Sequence, residues 1–200
     1  MAKLYFRHGT VGSAKTLNLL AVAHNYRQQG KEVILMKPDI DTRFGSGQIQ
    51  SRAGLSMDAD VLVNLETDLL GLCLDNVSCV LVDEAQFLSM HHIDQLREIT
   101  QRNGIPVICY GLRTDFRTKL FPGSLRLMEV ADSIEEVKAT CFFCNRKSIM
   151  NLKHVNGKAT LEGPTVEMGA EERYLPACYQ CYKSQLNQTE SGQVLAIARD

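Results

Sequence analysis

A glycine-containing turn near the N-terminus, Gly9–Thr16, restricts the possible folds of this 200-residue chain more than any other segment. The residues before it, Lys3–His8, are typical of a strand, and those after it, Lys15–Gln29, place apolar side chains on one face of a helix. A strand that passes through such a turn into a helix is a common opening unit of a parallel α/β sheet. The sequence therefore predicts an α/β fold that begins with this unit.

The same turn resembles a phosphate-binding loop, whose pattern is G-x-x-x-x-G-K-[ST]. Backbone N–H groups at the start of the helix would point at a phosphate, Lys15 would reach the β- and γ-phosphates, and the Thr16 hydroxyl would bind Mg²⁺. Ala14 stands where the pattern has its second glycine, and a positive φ there would cost about 1–2 kcal/mol. An ordinary strand–helix turn is the alternative. The predicted ATP-binding residues of the loop are Gly9, Thr10, Val11, Gly12, Ser13, Ala14, Lys15 and Thr16.

Two acidic residues follow a predicted buried strand, Cys79–Val82. Ligands of open α/β sheets collect at the carboxyl ends of strands, so Asp83 is predicted to hold Mg²⁺ together with Thr16. Glu84 is a candidate base for the proton of an attacking hydroxyl. A solvated turn is one alternative. Asp83–Gln86 also resembles a helicase motif, but one short sheet cannot supply the two nucleotide-binding domains that a helicase needs.

Short β-branched runs alternate with helical patterns through residues 1–140, the predicted ATP-binding α/β domain. Ser89 is a predicted N-cap for a helix that reaches Arg102. Asp41–Ala59 has no apolar period and is predicted to be a long, mobile loop with a function. The other predicted strands are Val33–Met36, Val61–Leu65, Ile105–Tyr110 and one within Val130–Thr140.

Two Cys-x-x-Cys pairs indicate a second unit. Cys141 and Cys144 form one pair, and Cys178 and Cys181 form the other. Tetrahedral zinc takes four soft ligands, which two such pairs supply with little strain in the chain. One pair alone would also suit a redox dithiol. Four protein ligands leave no open position, so we expect a structural Zn²⁺. The predicted zinc-binding lobe spans residues 141–186, and residues 187–200 form a predicted C-terminal tail.

The charge and hydropathy of the chain argue against some classes of partner. Its formal net charge is −1, unlike the strongly basic surface that binds nucleic acid through phosphates. No run approaches the roughly 18 apolar residues of a membrane helix, and the N-terminus has no apolar run like that of a signal peptide. We therefore expect a cytoplasmic protein without a nucleic-acid or membrane partner.

With these features placed, the chain resembles the thymidine kinase family, which includes the cellular enzymes of animals and many bacterial ones. The similarity extends from Leu4 to about Tyr182. Its most specific parts are Asp41–Arg43, Val82–Phe87, Tyr110–Arg117 and Met168–Tyr174, followed by the second cysteine pair. The resemblance implies a P-loop, RecA-like nucleotide-binding core on a parallel sheet, with a small zinc-bound lobe that carries a lasso loop over the nucleoside.

The resemblance also implies roles for individual residues. Glu84 would be the catalytic base, Asp83 the Mg²⁺ carboxylate and Arg43 a phosphate-side arginine in a flexible loop. Arg52 is a weaker candidate for a role similar to that of Arg43, and Gln86 would belong to the ATP site. The implied thymidine-binding residues are Phe87, Leu112, Phe116, the lasso residues Thr165, Val166, Glu167, Met168 and Gly169, and Tyr174.

The implied activity is that of a thymidine kinase, which phosphorylates deoxythymidine to dTMP with ATP and Mg²⁺ in nucleotide salvage for DNA synthesis. Family members are commonly homotetramers with dTTP as a feedback inhibitor, and we expect the same here. Loss of zinc is expected to weaken thymidine binding before ATP binding. The alternative is a regulatory homologue that binds nucleotide but has lost turnover through Ala14. Ala170, where the family has a second glycine, would restrict closure of the lasso.

Overall fold

The computed structural model describes residues 1–42, 45, 47–165 and 174–190. Its first strand, β1 (Leu4–His8), leads through the glycine-containing turn into the first helix, α1 (Lys15–Gln28). The later strands are β2 (Glu32–Pro38), β3 (Gln48–Gln50), β4 (Ser56–Asp58), β5 (Val61–Val63), β6 (Val77–Val82), β7 (Val107–Gly111), β8 (Ser133–Glu136), β9 (Met150–Val155), β10 (Lys158–Ala159) and β11 (Tyr174–Ala177). The later helices are α2 (Met90–Arg102), α3 (Pro122–Val130) and α4 (Tyr179–Glu190), with short 3₁₀ turns at Leu69–Gly71 and Ala85–Phe87.

Six of the strands in the described residues form one parallel sheet in the order β5-β2-β6-β7-β1-β8. One strand, β7, separates β1 from β6. Because parallel strands end at the same edge of a sheet, the turn after β1 and the acidic residues after β6 open onto the same side. The prediction of an α/β core on a parallel sheet is confirmed.

The sheet is buried on both faces, as its apolar strands require. On one face, Leu19 of α1 packs in a cluster with Leu81 and Tyr110. On the other face, Leu96 of α2 packs in a cluster with Val80. Successive residues of β6 therefore anchor the strand to opposite layers, which fixes the position of the acidic residues at its end.

Some elements agree with the sequence predictions and others do not. Ser89 caps α2 by accepting the His92 N–H at 3.1 Å, and the helix ends at Arg102 as predicted. The prediction of one irregular loop over residues 41–59 was wrong in part, because β3 and β4 form an antiparallel hairpin within it. Ile49 of this hairpin is 2% exposed and packs on the α1 face of the sheet. The helix α3 was not predicted.

A smaller lobe follows the parallel sheet. In it, β9 lies between β10 and β11 in an antiparallel sheet, and Leu152 and Tyr182 contribute to a small core. The Tyr182 hydroxyl donates to the Phe116 carbonyl at 2.6 Å, which attaches α4 to the α/β core. Because α4 continues to Glu190, the first residues of the predicted tail are helical. Among the described residues, none of the helices combines the length and apolarity needed to cross a bilayer.

Candidate active site

The turn between β1 and α1 has a strained backbone. Ala14, the N-cap of α1, adopts left-handed angles with φ 61° and ψ 27°, and Gly12 also has a positive φ of 73°. A left-handed alanine costs about 1–2 kcal/mol, so the unfavourable case foreseen for this substitution is the one that occurs. Gly9 is required for space, because a Cβ there would lie 2.3 Å from the Ser13 Oγ and 2.5 Å from the Val137 carbonyl oxygen.

The Lys15 side chain lies within this turn rather than in solvent. Its ammonium donates to the Thr10 carbonyl at 2.8 Å and to the Gly9 carbonyl at 3.3 Å, and the residue is 7% exposed. Burial lowers the pKa of His8, at the end of β1, and the charge of Arg113 lowers it further. Near neutral pH His8 therefore adds no positive charge beside the loop.

Thr16 and Asp83 meet at the edge of the sheet. The Thr16 hydroxyl donates to the two carboxylate oxygens of Asp83, at 3.0 Å and 3.3 Å, and Asp83 is 4% exposed. A hydroxyl and a carboxylate oxygen are the hard ligands that Mg²⁺ prefers. The structure thus brings together the two residues that the sequence proposes as magnesium ligands.

Glu84 follows directly and also has a strained backbone, with φ 49° and ψ 36° in the left-handed region. Gln86 donates from Nε2 to a carboxylate oxygen of Glu84, and its Oε1 accepts the Leu112 N–H at 3.0 Å. Gln86 is only 1% exposed. Gln86 was assigned to the ATP site from the resemblance, and its amide is placed where it orients the Glu84 carboxylate.

The helix α3 packs against the backbone of the turn that follows Asp83 and Glu84, called the acidic turn below. Gly123, near its start, approaches the backbone so closely that a Cβ would lie 2.5 Å from the Ala85 carbonyl oxygen and 2.7 Å from that of Leu88. Carbonyl oxygens are parts of the backbone and cannot move aside as a flexible side chain can. The contact therefore holds the turn that carries Glu84 and Gln86 at a fixed distance from α3.

One cavity of about 290 Å³ extends from the turn Gly9–Thr16, called the phosphate loop below, to Glu84. Leu112, Phe116 and Tyr174 line it, and the rings of Phe116 and Tyr174 lie 6.0 Å apart. The cavity also contains the sequence-predicted residues Val11, Gly12, Ser13, Ala14, Lys15, Thr16, Gln86, Phe87 and Thr165, together with Arg52. Arg43 and the predicted lasso residues Val166, Glu167, Met168 and Gly169 lie outside the described residues, as does Ala170.

The segment that leads to the lasso is attached to the cavity wall by Arg117. Its guanidinium donates to the Leu161 carbonyl at 3.0 Å, to the Gly163 carbonyl, and to the Thr165 hydroxyl at 3.1 Å. The same guanidinium lies 4.6 Å from the centre of the Phe116 ring, which is a cation–π geometry. Arg117 therefore fixes Thr165 relative to the aromatic wall.

Among the lining residues of the cavity that the sequence did not identify as functional, Phe121 and Asn151 have the most informative contacts. Phe121 packs edge-on against Phe87, with ring centroids 5.6 Å apart, and it lies just beyond the family-like segment Tyr110–Arg117. Asn151 comes from β9 of the smaller lobe and reaches the cavity only because that lobe packs against the phosphate loop. No local sequence signal indicates such a contact.

The four cysteines of the two pairs form one cluster. All four sulfur atoms lie within 4.8 Å of one another, and Cys144 Sγ is 3.8 Å from Cys178 Sγ and 3.7 Å from Cys181 Sγ. Zinc–sulfur bonds of about 2.3 Å in a tetrahedron place the sulfur atoms about 3.8 Å apart. The Cys181 N–H donates to the Cys178 sulfur, and this bond, together with hydrogen bonds from the other three thiols, lowers the pKa of Cys178 to about 7. The donor set and its spacing fit a tetrahedral zinc ion.

Comparisons with known proteins give relatives over most of the chain. A family model for thymidine kinase matches residues 2–182. A thymidine kinase of Streptococcus gordonii is 42% identical over 185 residues, covering 91% of this chain and 96% of the relative. One of Enterococcus faecalis is 44% identical over 185 residues, covering 91% and 95%. Among solved structures, the Pif1 helicase from Candida albicans has a TM-score of 0.42 and 11% identity. The match covers 68% of this chain and 36% of the helicase. A similarity this low supports no inference.

Proposed function

The chain belongs to the thymidine kinase family, and on that basis we propose that it transfers the γ-phosphate of ATP to the 5′-hydroxyl of deoxythymidine, yielding dTMP for nucleotide salvage. The observation that carries the proposal is the shared cavity. Its walls include the phosphate loop, Glu84 and the aromatic pair Phe116 and Tyr174. A triphosphate and a nucleoside could therefore meet beside a carboxylate.

Phosphoryl transfer depends on positioning and charge neutralisation more than on covalent chemistry. We propose that Lys15 places its ammonium against the phosphates and that backbone N–H groups at the start of α1 bind phosphate oxygens. Thr16 and Asp83 would hold Mg²⁺, because their oxygen atoms already converge at 3.0 Å. When bound, the ion would supply positive charge to the β- and γ-phosphates.

Glu84 is the proposed general base for the 5′-hydroxyl. A carboxylate within hydrogen-bond reach of the nucleophile can accept its proton as the bond to phosphorus forms. The Gln86 amide, fixed at its other end by the Leu112 N–H, would keep the carboxylate turned toward the cavity. We place Gln86 on the base side of the site rather than among the phosphate ligands, because its amide contacts Glu84 and a backbone donor.

The nucleoside would lie against Phe116, Tyr174, Leu112 and Phe87. These side chains provide an apolar surface for the base and its methyl group. The proposed lasso residues 165–169 would read the edge of the thymine through their backbone. The hydrogen bond from Arg117 to the Thr165 hydroxyl supports this proposal, because it holds the start of the segment beside the cavity. Arg43 remains the proposed arginine on the phosphate side.

The four-cysteine cluster is the proposed structural zinc site. A closed site of four thiolates leaves no coordination position for substrate, so the metal would stabilise the lobe and take no part in transfer. We further propose a homotetramer with feedback inhibition by dTTP, following the family, and a cytoplasmic location.

A coupled assay for ADP formation with deoxythymidine, ATP and Mg²⁺ tests the proposed function. Thymidine-dependent ADP production by the zinc-loaded protein is the expected result. The left-handed Ala14 favours a second candidate, a regulatory homologue that binds nucleotide without turnover. Binding of dTTP without any thymidine-dependent ADP would support that candidate and reject the kinase.

A further inference from the structure

Two residues of the smaller lobe contact the phosphate loop. Asn151 Oδ1 accepts the Val11 N–H at 2.9 Å, and the hydroxyls of Ser148 and Thr10 lie 2.9 Å apart. Val11 and Thr10 are consecutive residues on the limb of the loop that is farther from α1. The lobe that contains the four cysteines is therefore attached to the loop proposed to bind ATP.

The orientation of the Asn151 amide follows from its partners. A backbone N–H can only donate, so the atom facing Val11 must be the oxygen, and a carbonyl can only accept, so the atom facing Thr114 must be the nitrogen. The nitrogen donates to the Thr114 carbonyl at 2.9 Å. With 4% of its surface exposed, Asn151 spans the gap between the phosphate loop and the segment after β7.

The backbone of Asn151 is joined to the cysteine cluster through the antiparallel sheet. Asn151 in β9 pairs with Pro176 in β11, and β11 leads directly to Cys178. The Ile149 N–H also donates to the Ala177 carbonyl at 2.9 Å. Movement of the cysteine cluster would therefore displace β9 and the Asn151 amide.

The loop has a reason to need an external support. Ala14 holds left-handed angles that an alanine adopts at a cost of about 1–2 kcal/mol, and such a conformation persists where surrounding contacts enforce it. The Val11 N–H bond lies on the far limb, which leaves the first N–H groups of α1 to face a phosphate. Asn151 can thus support the loop without occupying the donors at the helix end.

We propose that Asn151 is a positioning residue through which the zinc lobe keeps the phosphate loop in its strained, ATP-binding conformation. The proposal rests on the proposed function only in taking ATP as the ligand of the loop. It makes the affinity for ATP depend on a lobe that contributes no phosphate ligand. It also makes the need for Asn151 depend on the residue at position 14.

The test is a double-mutant cycle read by calorimetric titration of ATP–Mg²⁺ into zinc-loaded protein without thymidine. Asn151→Ala is expected to weaken ATP binding about tenfold, the value of one or two buried hydrogen bonds. In an Ala14→Gly background the same change should weaken it less than about threefold, because glycine adopts left-handed angles without strain. Lys158→Ala, an exposed change in the same lobe, is the matched control and should leave ATP binding unchanged.

If Asn151 had only a structural role, Asn151→Ala would change the melting temperature or the zinc content. Its effect on ATP binding would then not depend on the residue at position 14. Equal losses in the two backgrounds, or unchanged ATP binding in folded, zinc-loaded Asn151→Ala, would overturn the proposal. If Asn151→Ala does not fold, Asn151→Ser replaces it in both backgrounds, since its shorter hydroxyl cannot span Val11 and Thr114. Absence of turnover in the unmodified protein would instead count against the proposed kinase activity, which this binding experiment does not require.

Discussion

The Thr16 hydroxyl lies 3.0 Å from a carboxylate oxygen of Asp83, although the strands that precede the two residues are not neighbours in the sheet. The strand between them, β7, ends at Gly111. A Cβ at Gly111 would lie 2.6 Å from the Gln86 Oε1, so the absence of a side chain there leaves room for the amide beside Glu84. The sheet order and one glycine together place the proposed metal ligands and base around a single space.

The role of Glu84 can be tested by Glu84→Gln. The amide keeps the shape of the side chain but cannot accept the proton of the 5′-hydroxyl, so we expect kcat to fall by about 10²–10⁴. ATP binding should change little, because the phosphate loop is untouched. Steady-state kinetics and nucleotide titration measure the two effects. Glu66→Gln, at an exposed glutamate, should keep full activity, and full activity in Glu84→Gln would remove this residue as the base.

The strain at Ala14 predicts that Ala14→Gly stabilises the protein. Replacing a left-handed alanine by glycine should raise the free energy of unfolding by about 1 kcal/mol, after the greater freedom of glycine in the unfolded chain is subtracted. Urea denaturation measures the change. Ala131→Gly is the control, because Ala131 has a negative φ of −73° and should lose stability. A loss of stability in Ala14→Gly would contradict the assignment of strain to this residue.

Removal of zinc should weaken the binding of both substrates. The sequence alone predicts that thymidine binding is affected first, since Tyr174 and the predicted lasso belong to the predicted zinc lobe. The contact between Asn151 and Val11 changes that expectation, because the lobe also supports the phosphate loop. Titrations of metal-free and zinc-reloaded protein should show a reversible loss of about tenfold in ATP affinity. Unchanged ATP affinity after removal of the metal would contradict this prediction.

The buried His92 predicts a dependence of stability on pH. Burial lowers its pKa below the ordinary 6.5, so below that pH the unfolded chain binds a proton that the folded chain resists. As far as His92 is concerned, the free energy of unfolding therefore has its full value above pH 6.5. It falls as the pH decreases toward the pKa of His92 in the folded state.

Thermal denaturation from about pH 7.5 to about pH 5.5 should show a smaller loss of stability in His92→Gln than in the unmodified protein. His24→Gln, at an exposed histidine, is the matched control and should keep the original pH dependence. The same dependence in all three proteins would show that His92 does not contribute.

Much of the α/β core could be predicted because its signals are local. The N-cap at Ser89 and the apolar run before Asp83 depend on residues next to one another, and the structure retains both. The helix α3 could not be predicted in the same way, because Pro122 and Gly123 are typical of a turn. Its place is set by packing of that glycine against the backbone of the acidic turn.

The site was predictable where its residues belong to motifs and less so where lobes meet. The loop pattern and the acidic pair identified Lys15, Thr16 and Asp83, and the structure joins Thr16 to Asp83 by a hydrogen bond. The sequence showed that the sign of the φ angle at Ala14 matters but could not predict it. That sign depends on the direction in which α1 follows the loop. Asn151 was beyond prediction, because its partners lie in segments that only the folded lobe brings near it.

Gly123 packs against the backbone of the acidic turn, where the space around it leaves no room for even one methyl group. Any larger residue would force α3 and the acidic turn apart and swing the carboxylate of Glu84 out of line with its target. Such a variant would keep every substrate-facing side chain and still turn over poorly. If Glu84 is the base, as proposed, a substitution at Gly123 would impair catalysis although no residue that contacts the substrate has changed.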